Sequence, residues 1–310
     1  MRQMNDLKKV LSKEELTAFT LCALYAENGY EKYRMSKFEE YDLYVRNKDF
    51  LVSDSIITFT DTDGKLLALK PDVTLSIIKN SKLQAGEKMK VYYNENVYRV
   101  SKGTRAYKEL MQAGLECLGA VDENSLTEVI ALAAKSLDSI SGSSVLELSH
   151  LSIVDGVLKA CRLSECAKAE VLTCLKEKNV AGMDRVVKTY DLGQLEQALL
   201  EKLVKTYGSI DSVLPKLDDF CVDKETKDAV ESFKTLLNSL KVCGTESKIL
   251  VDFSVLGNMK YYSGVAFQGY VEGIPTAILS GGEYDKLMSA MEKRGKAVGF
   301  AVYLDEVGKV

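Results

Sequence analysis

Two runs of strand texture, MKVYYNENVYRV (89–100) and KELMQAGLECLG (108–119), flank the polar loop Ser101–Tyr107 and decide the reading of the fold. They predict a long antiparallel pair. On the second strand Met111, Ala113, Leu115 and Cys117 point one way and make an ordinary core face. Gln112, Gly114 and Glu116 point the other way. Taken alone, that polar face reads first as a solvated sheet surface. Its other reading is the floor of a small polar site, with Gln112 and Glu116 about 13 Å apart by strand rise and Gly114 leaving space between them.

Working outward, Ser12-Lys-Glu-Glu15 has capping-box spacing, and Leu16, Phe19 and Leu24 follow at helical intervals before Asn28-Gly29. A helix is predicted over 13–27. SIITFT (55–60) and KLLALK (65–70) around Asp61-Thr-Asp-Gly64 predict a β-hairpin, with Pro71 opening the helix DVTLSIIKN. From 155 to 241 the texture turns to long Leu/Ala/Lys/Glu segments, which read as a helical insertion. Strand texture returns at KILVDFSVL (248–256), YYSGVAFQGYV (261–271) and AVGFAVYL (297–304), with GGEYDKLMSAMEKR as a further helix. In a strand, Tyr261 and Tyr262 would face opposite sides. LSGGE (279–283) reads as a strand-to-helix turn, because no G-x-x-x-x-G-K-[ST] accompanies it. The expected architecture is α+β: an antiparallel sheet flanked by helices, residues 1–154 and 242–310 forming a core interrupted by the insertion at 155–241.

The 310 residues carry 41 Lys+Arg against 45 Asp+Glu, a formal charge of −4, which argues against a dedicated nucleic-acid surface. No stretch has the length and apolarity of a membrane span, and the charged N-terminus is no signal peptide. Seven cysteines at irregular positions read as free buried thiols in a reducing, cytoplasmic setting. One histidine, His150, excludes HExxH zinc chemistry and leaves no nucleophile–histidine pair, so it reads as a satisfied structural residue. No metal, cofactor or catalytic residue is assigned.

The order of the pieces carries a resemblance. The hairpin is followed by Lys70-Pro-Asp-Val-Thr74, VYR (97–99), MQAGLECLG (111–119), YYSG (261–264), GGEYDKL and AVGFAVYLDEV. In that order they resemble the class II histidyl-tRNA synthetase core over nearly the whole chain. They resemble still more the catalytically silent branch of that family, the regulatory subunits of ATP phosphoribosyltransferase. The resemblance implies a histidine pocket. Asp72 stands where a Glu would contact the ligand's ammonium, and Thr74, Gln112, Glu116, Tyr262 and Tyr284 match pocket residues. Tyr261 completes the tyrosine pair, and Arg99 matches the motif 2 arginine. These types suit the ligand: acceptors for an ammonium, a carboxylate for an imidazole N–H, a guanidinium for a carboxylate.

The same resemblance implies that adenylation is lost. The motif 3 arginine falls at Glu306, a small residue before it becomes Tyr303, the signature arginine aligns with Gly257, and Arg99-Val-Ser-Lys102 lacks the motif 2 Glu. A carboxylate in place of a phosphate-facing arginine is expected to oppose ATP. The implied role is a non-catalytic subunit that binds free histidine for feedback on histidine biosynthesis. Its implied partner is the short-form catalytic subunit of ATP phosphoribosyltransferase, with a regulatory homodimer inside a hetero-octamer. The alternative is a divergent adenylating enzyme of synthetase type. No anticodon-binding segment follows the last strand, so no tRNA partner is expected. The motif 1 region, 31–38, lacks the usual proline.

Overall fold

Ser12 caps the first helix, α1 (Lys13–Glu27): its hydroxyl accepts the Glu15 amide at 3.2 Å, and the Glu15 carboxylate accepts the Ser12 amide at 2.8 Å. The computed structural model describes residues 10–51, 56–101, 104–259 and 261–309, so Ser55 and Lys102 of the motifs above lie outside the described residues. The buried face of α1 is Ala18, Leu21 and Tyr25, not the Leu16–Phe19–Leu24 stripe; Phe19 is 57% exposed. Tyr25 fixes this rotation. Its ring meets Phe300 edge-on at 5.8 Å, and its hydroxyl hydrogen-bonds Ser136 at 3.1 Å.

After α1 come β1 (Glu31–Lys32), β2 (Phe38–Glu40), α2 (Tyr41–Arg46), and the hairpin strands β3 (Thr58–Thr60) and β4 (Leu66–Leu69). The Asp61 carboxylate closes the hairpin by accepting the amides of Asp63 and Lys65, and Gly64 takes the left-handed conformation. Helix α3 (Thr74–Asn80) opens at Thr74 rather than at Pro71. Lys70 is held extended, its amide on Lys37 and its carbonyl accepting from Tyr98, and the Asp72 carboxylate accepts the Leu75 amide at 3.0 Å as the side-chain acceptor for the helix start.

The predicted long pair is β5 (Lys88–Val100) and β6 (Tyr107–Gly119), antiparallel along their whole length with Tyr93 opposite Gly114. Then follow α4 (Glu123–Ile140), β7 (Ser144–His150), α5 (Leu151–Ala160), α6 (Glu165–Lys176), α7 (Val180–Thr189), α8 (Gln194–Lys205), β8 (Tyr207–Ser209), α9 (Ile210–Val213) and α10 (Lys224–Val242). The chain ends with β9 (Ile249–Asp252), β10 (Val265–Val271), β11 (Leu279–Glu283), α11 (Asp285–Ala290), β12 (Lys296–Tyr303) and α12 (Leu304–Val307). LSGGE is therefore itself a strand. The helix read at GGEYDKLMSAMEKR shrinks to six residues.

Among the described residues the main sheet runs β1-β5-β6-β12-β11-β10-β7-β9-β8, with β2-β4-β3 as a separate small sheet. The α+β expectation holds, with one adjustment: β1 pairs with β5, and β7 with β9, in parallel. Helices α1 and α4 cover the Ala113–Leu115–Cys117 face of β6, where Val129, Ala133 and Phe300 complete the core. A second apolar cluster (Leu75, Ile78, Val91, Val97, Leu118, Leu287) lies between α3, β5 and α11.

The 155–241 stretch packs directly on the sheet. Strand β8 pairs with β9, and Val157, Phe220 and Phe233 share the core with Leu146, Val251 and Phe267. Lys178, just past α6 with φ +52°, adds a polar tie, meeting the buried Asp252 carboxylate and Glu147 while lying over the Tyr207 ring at 4.3 Å. His150 is buried edge-on to Phe233 at 5.4 Å, but its Nδ1 has no hydrogen-bond partner among the described residues. Burial pushes its pKa down to about 4. The cysteines are free, yet Cys166 and Cys243 are exposed, so the expectation of buried thiols holds only in part. Among the described residues no His/Cys/Asp/Glu group is arranged to hold a metal, and no helix is long and apolar enough to cross a membrane.

Candidate functional site

Glu116 is the centre of the polar face of β6, and it is buried, 2% exposed. The solvated-surface reading of this face is therefore wrong. The register explains how the carboxylate fits: Glu116 lies opposite Gly299 of β12, where a Cβ would come within 1.7 Å of its Oε2. Two hydroxyls close on the carboxylate. Thr74 Oγ1 donates to Oε1 at 2.7 Å and Tyr284 OH donates to Oε2 at 2.5 Å. Thr74 is delivered by the first turn of α3, and Tyr284 by the junction between β11 and α11.

Desolvation dominates the electrostatics here. Burial pushes the Glu116 pKa up to about 8, against the opposing pull of its two hydroxyl donors, and the nearby Asp72 carboxylate adds to the rise. Asp72 is also raised by burial, partly offset by the Leu75 amide and by Arg99. Arg99 stands across the 70–74 loop with its Nε donating to the Pro71 carbonyl at 3.1 Å. The loop is anchored by Lys70, fully buried and paired with Glu95 at 2.6 Å.

Asp72, Thr74, Arg99, Gln112, Glu116, Tyr261, Tyr262 and Tyr284 all line one cavity of about 610 Å³. Tyr261 and Tyr262 reach it together because they sit in a turn ahead of β10, not in the strand: both amides bond the Asn258 carbonyl. Their rings meet at 4.8 Å, and Tyr261 contacts Tyr284 at 5.7 Å. The three tyrosines make an aromatic wall with polar tips.

Several lining residues lie outside the predicted pocket set. Tyr93 occupies the space over Gly114, its hydroxyl 2.5 Å from where a Cβ would stand. That glycine therefore admits Tyr93 and not a ligand, and the predicted antiparallel pairing was the signal that could have found it. Tyr303 lines the cavity and shares a 2.5 Å hydrogen bond with Ser280. Gln268 lines the same side, and Lys176 reaches it from the end of α6. Glu306 is absent from the lining; its carboxylate accepts from Thr276 Oγ1 at 2.9 Å and pairs with Lys309 at 2.5 Å. The expected charge opposition at Glu306 thus falls outside the cavity, and Tyr303 is the motif 3 change that enters it. Gly257, with φ +53°, contributes no side chain to the lining.

The family model for histidyl-tRNA synthetase matches residues 6–307. A curated relative from Bacillus mycoides, named ATP phosphoribosyltransferase regulatory subunit, is 27% identical over 290 residues, 92% of this chain and 69% of that protein. A crystal structure from Bacillus halodurans, described as an ATP phosphoribosyltransferase regulatory subunit/histidyl-tRNA synthetase, is 25% identical with a TM-score of 0.82, covering 94% of this chain and 78% of that one. A chain of the ATP phosphoribosyl transferase complex from Thermotoga maritima shares the fold at 18% identity and a TM-score of 0.71, covering 93% of this chain and 96% of that one. The chain belongs to the histidyl-tRNA synthetase family, and within it resembles proteins named as regulatory subunits of ATP phosphoribosyltransferase.

Proposed function

We propose that this chain is the non-catalytic regulatory subunit of ATP phosphoribosyltransferase and that its cavity holds free histidine as the feedback signal for the first step of histidine biosynthesis. The observation that carries this reading is the Glu116 carboxylate, buried at the cavity floor under Thr74 and Tyr284. A buried carboxyl group gains most from a ligand that brings an N–H or a positive charge to it. In the proposed pose the imidazole lies over Glu116 against the tyrosine wall. Its ammonium faces Asp72 and Gln112, and its carboxylate points outward, away from the two acids of the floor.

The names of the relatives support the partner, a short-form catalytic subunit of ATP phosphoribosyltransferase. The regulatory dimer within a hetero-octamer is part of the same proposal. Loss of adenylation agrees with Gly257, which offers no cation to the cavity, and with Tyr303 standing in it. Histidine linked to the catalytic subunit can shift that enzyme only by its differential affinity for the active and inhibited arrangements.

The test is co-purification with the catalytic subunit from the native host, followed by phosphoribosyl transfer assays with and without histidine. Co-purified activity that histidine suppresses is the expected result, and calorimetry on the isolated chain should show histidine binding. No heat at millimolar histidine would leave a scaffold that activates without sensing. Histidine-dependent exchange of pyrophosphate into ATP would overturn the non-catalytic reading.

A further inference from the structure

The cavity is electrically polar. Its floor carries the two carboxyl groups, Asp72 and Glu116, and its lining cations are Arg99 and Lys176. Arg99 is engaged: its Nε bonds the Pro71 carbonyl, and its charge lies beside Asp72. Lys176 differs. It is exposed, it ends α6, and its ammonium makes no ion pair or hydrogen bond among the described residues. It is also the single lining residue drawn from the 155–241 helical stretch. Gly257, elsewhere in the lining, contributes no side chain.

We infer that Lys176 receives the carboxylate of the ligand and so ties helix α6 to occupancy of the cavity. An acidic floor and a basic rim orient a zwitterion with its cationic end inward and its carboxylate outward. A neutral or purely cationic ligand leaves Lys176 unused. The contact gives the helical stretch a direct part in sensing: a ligand seated on Glu116 and bound by Lys176 spans β6 and α6. The inference rests on the proposed histidine site and deepens it.

The experiment compares histidine with histidinol, which has an alcohol where histidine has a carboxylate, by calorimetry on the full chain. Lys176→Gln and Lys176→Arg keep the fold because the side chain is exposed and makes no ion pair among the described residues, and melting curves check this. Lys176→Gln should weaken histidine about tenfold, the scale of a lost charge-assisted hydrogen bond, and leave histidinol within about twofold. Lys176→Arg should restore most of the histidine affinity. If histidinol binds too weakly to measure, salt replaces it: histidine affinity should fall more steeply with salt in the wild type than in Lys176→Gln.

Amide exchange in Glu165–Lys176 should slow on adding histidine to the wild type and not to Lys176→Gln. Equal losses for both ligands, equal salt slopes, or unchanged histidine affinity in Lys176→Gln would overturn the inference while leaving the histidine site standing. A wild-type chain that binds no histidine would overturn both.

Discussion

Replacing Glu116 by glutamine keeps the shape of the cavity floor and removes its ionisation. In the wild type the folded-state pKa is raised to about 8, from 4.5 for the free side chain. Between these values the folded protein holds a proton that the unfolded chain has released. The carboxyl group's contribution to stability is therefore fully present below about pH 4.5 and is lost as pH rises towards 8. Each pH unit inside this window costs about 1.4 kcal/mol. Between pH 5 and pH 8 the wild type should lose roughly 3–4 kcal/mol relative to Glu116→Gln, on the order of 5–10 °C in melting temperature for a chain of this size. The assay is a melting series of both proteins across that range without ligand. Other ionisations, including that of His150, are common to both and cancel in the difference. Histidine added at pH 8 should recover much of the loss in the wild type, because a cationic or N–H-bearing ligand stabilises the ionised carboxylate. Parallel curves for the two proteins would refute the argument, since they would mean that Glu116 is already ionised in the empty fold.

Three further outcomes follow from the same structure. His150 is buried neutral with a pKa of about 4 against 6.5 when free, so stability present above pH 6.5 should be lost as pH falls towards 4; His150→Phe should flatten that limb of the melting profile, and an unchanged limb would assign acid sensitivity elsewhere. Lys178→Ala leaves the buried Asp252 carboxylate without its cation and should cost about 1–3 kcal/mol in urea unfolding, with Asp252→Asn in the same chain recovering part of it. Additive losses would show that the pair is not coupled. Gly299→Ala puts a methyl group 1.7 Å from Glu116 Oε2 and should weaken histidine binding by at least about tenfold through displacement of the carboxylate; calorimetry showing wild-type affinity would move the ligand away from Glu116.

The strand pair 88–119 was legible because two runs rich in β-forming side chains flank a short polar loop. What covered its polar face was not legible. Thr74, Tyr284 and the 261–262 turn come from three distant segments, and local pattern carries no information about which of them meets Gln112 and Glu116. The phase of α1 failed for a related reason: Leu16, Phe19 and Leu24 are as apolar as Leu21 and Tyr25, and distant contacts of Tyr25 with Phe300 and Ser136 select the face. Tyr261 and Tyr262 were misplaced because their β-forming side chains extend strand texture back beyond Val265, while the Asn258 carbonyl bends the chain into a turn. The family resemblance, rather than periodicity, assembled the eight site residues, and of the two motif 3 changes it named, Glu306 and Tyr303, the cavity lining contains Tyr303. Lys176 had no sequence signal: a lysine in the last turn of a helix is ordinary dipole chemistry, and its place over the cavity depends on how α6 packs across the sheet.

The position of Glu116 separates folding from function. A core selected only for stability would place an apolar side chain opposite Gly299, since an ionisable group under two hydroxyls weakens the empty fold at neutral pH. The Thr74 and Tyr284 hydroxyls relieve only part of that cost, Asp72 adds a second acid, Arg99 is turned to Pro71, and Lys176 stands at the exposed end of α6. In the proposed histidine site the compensation comes from outside the chain, as a ligand with a cationic or N–H group for the floor and an anionic group for the rim. On this argument the same substitution that stabilises the empty protein, Glu116→Gln, must weaken the ligand, and the two effects should share one pH dependence.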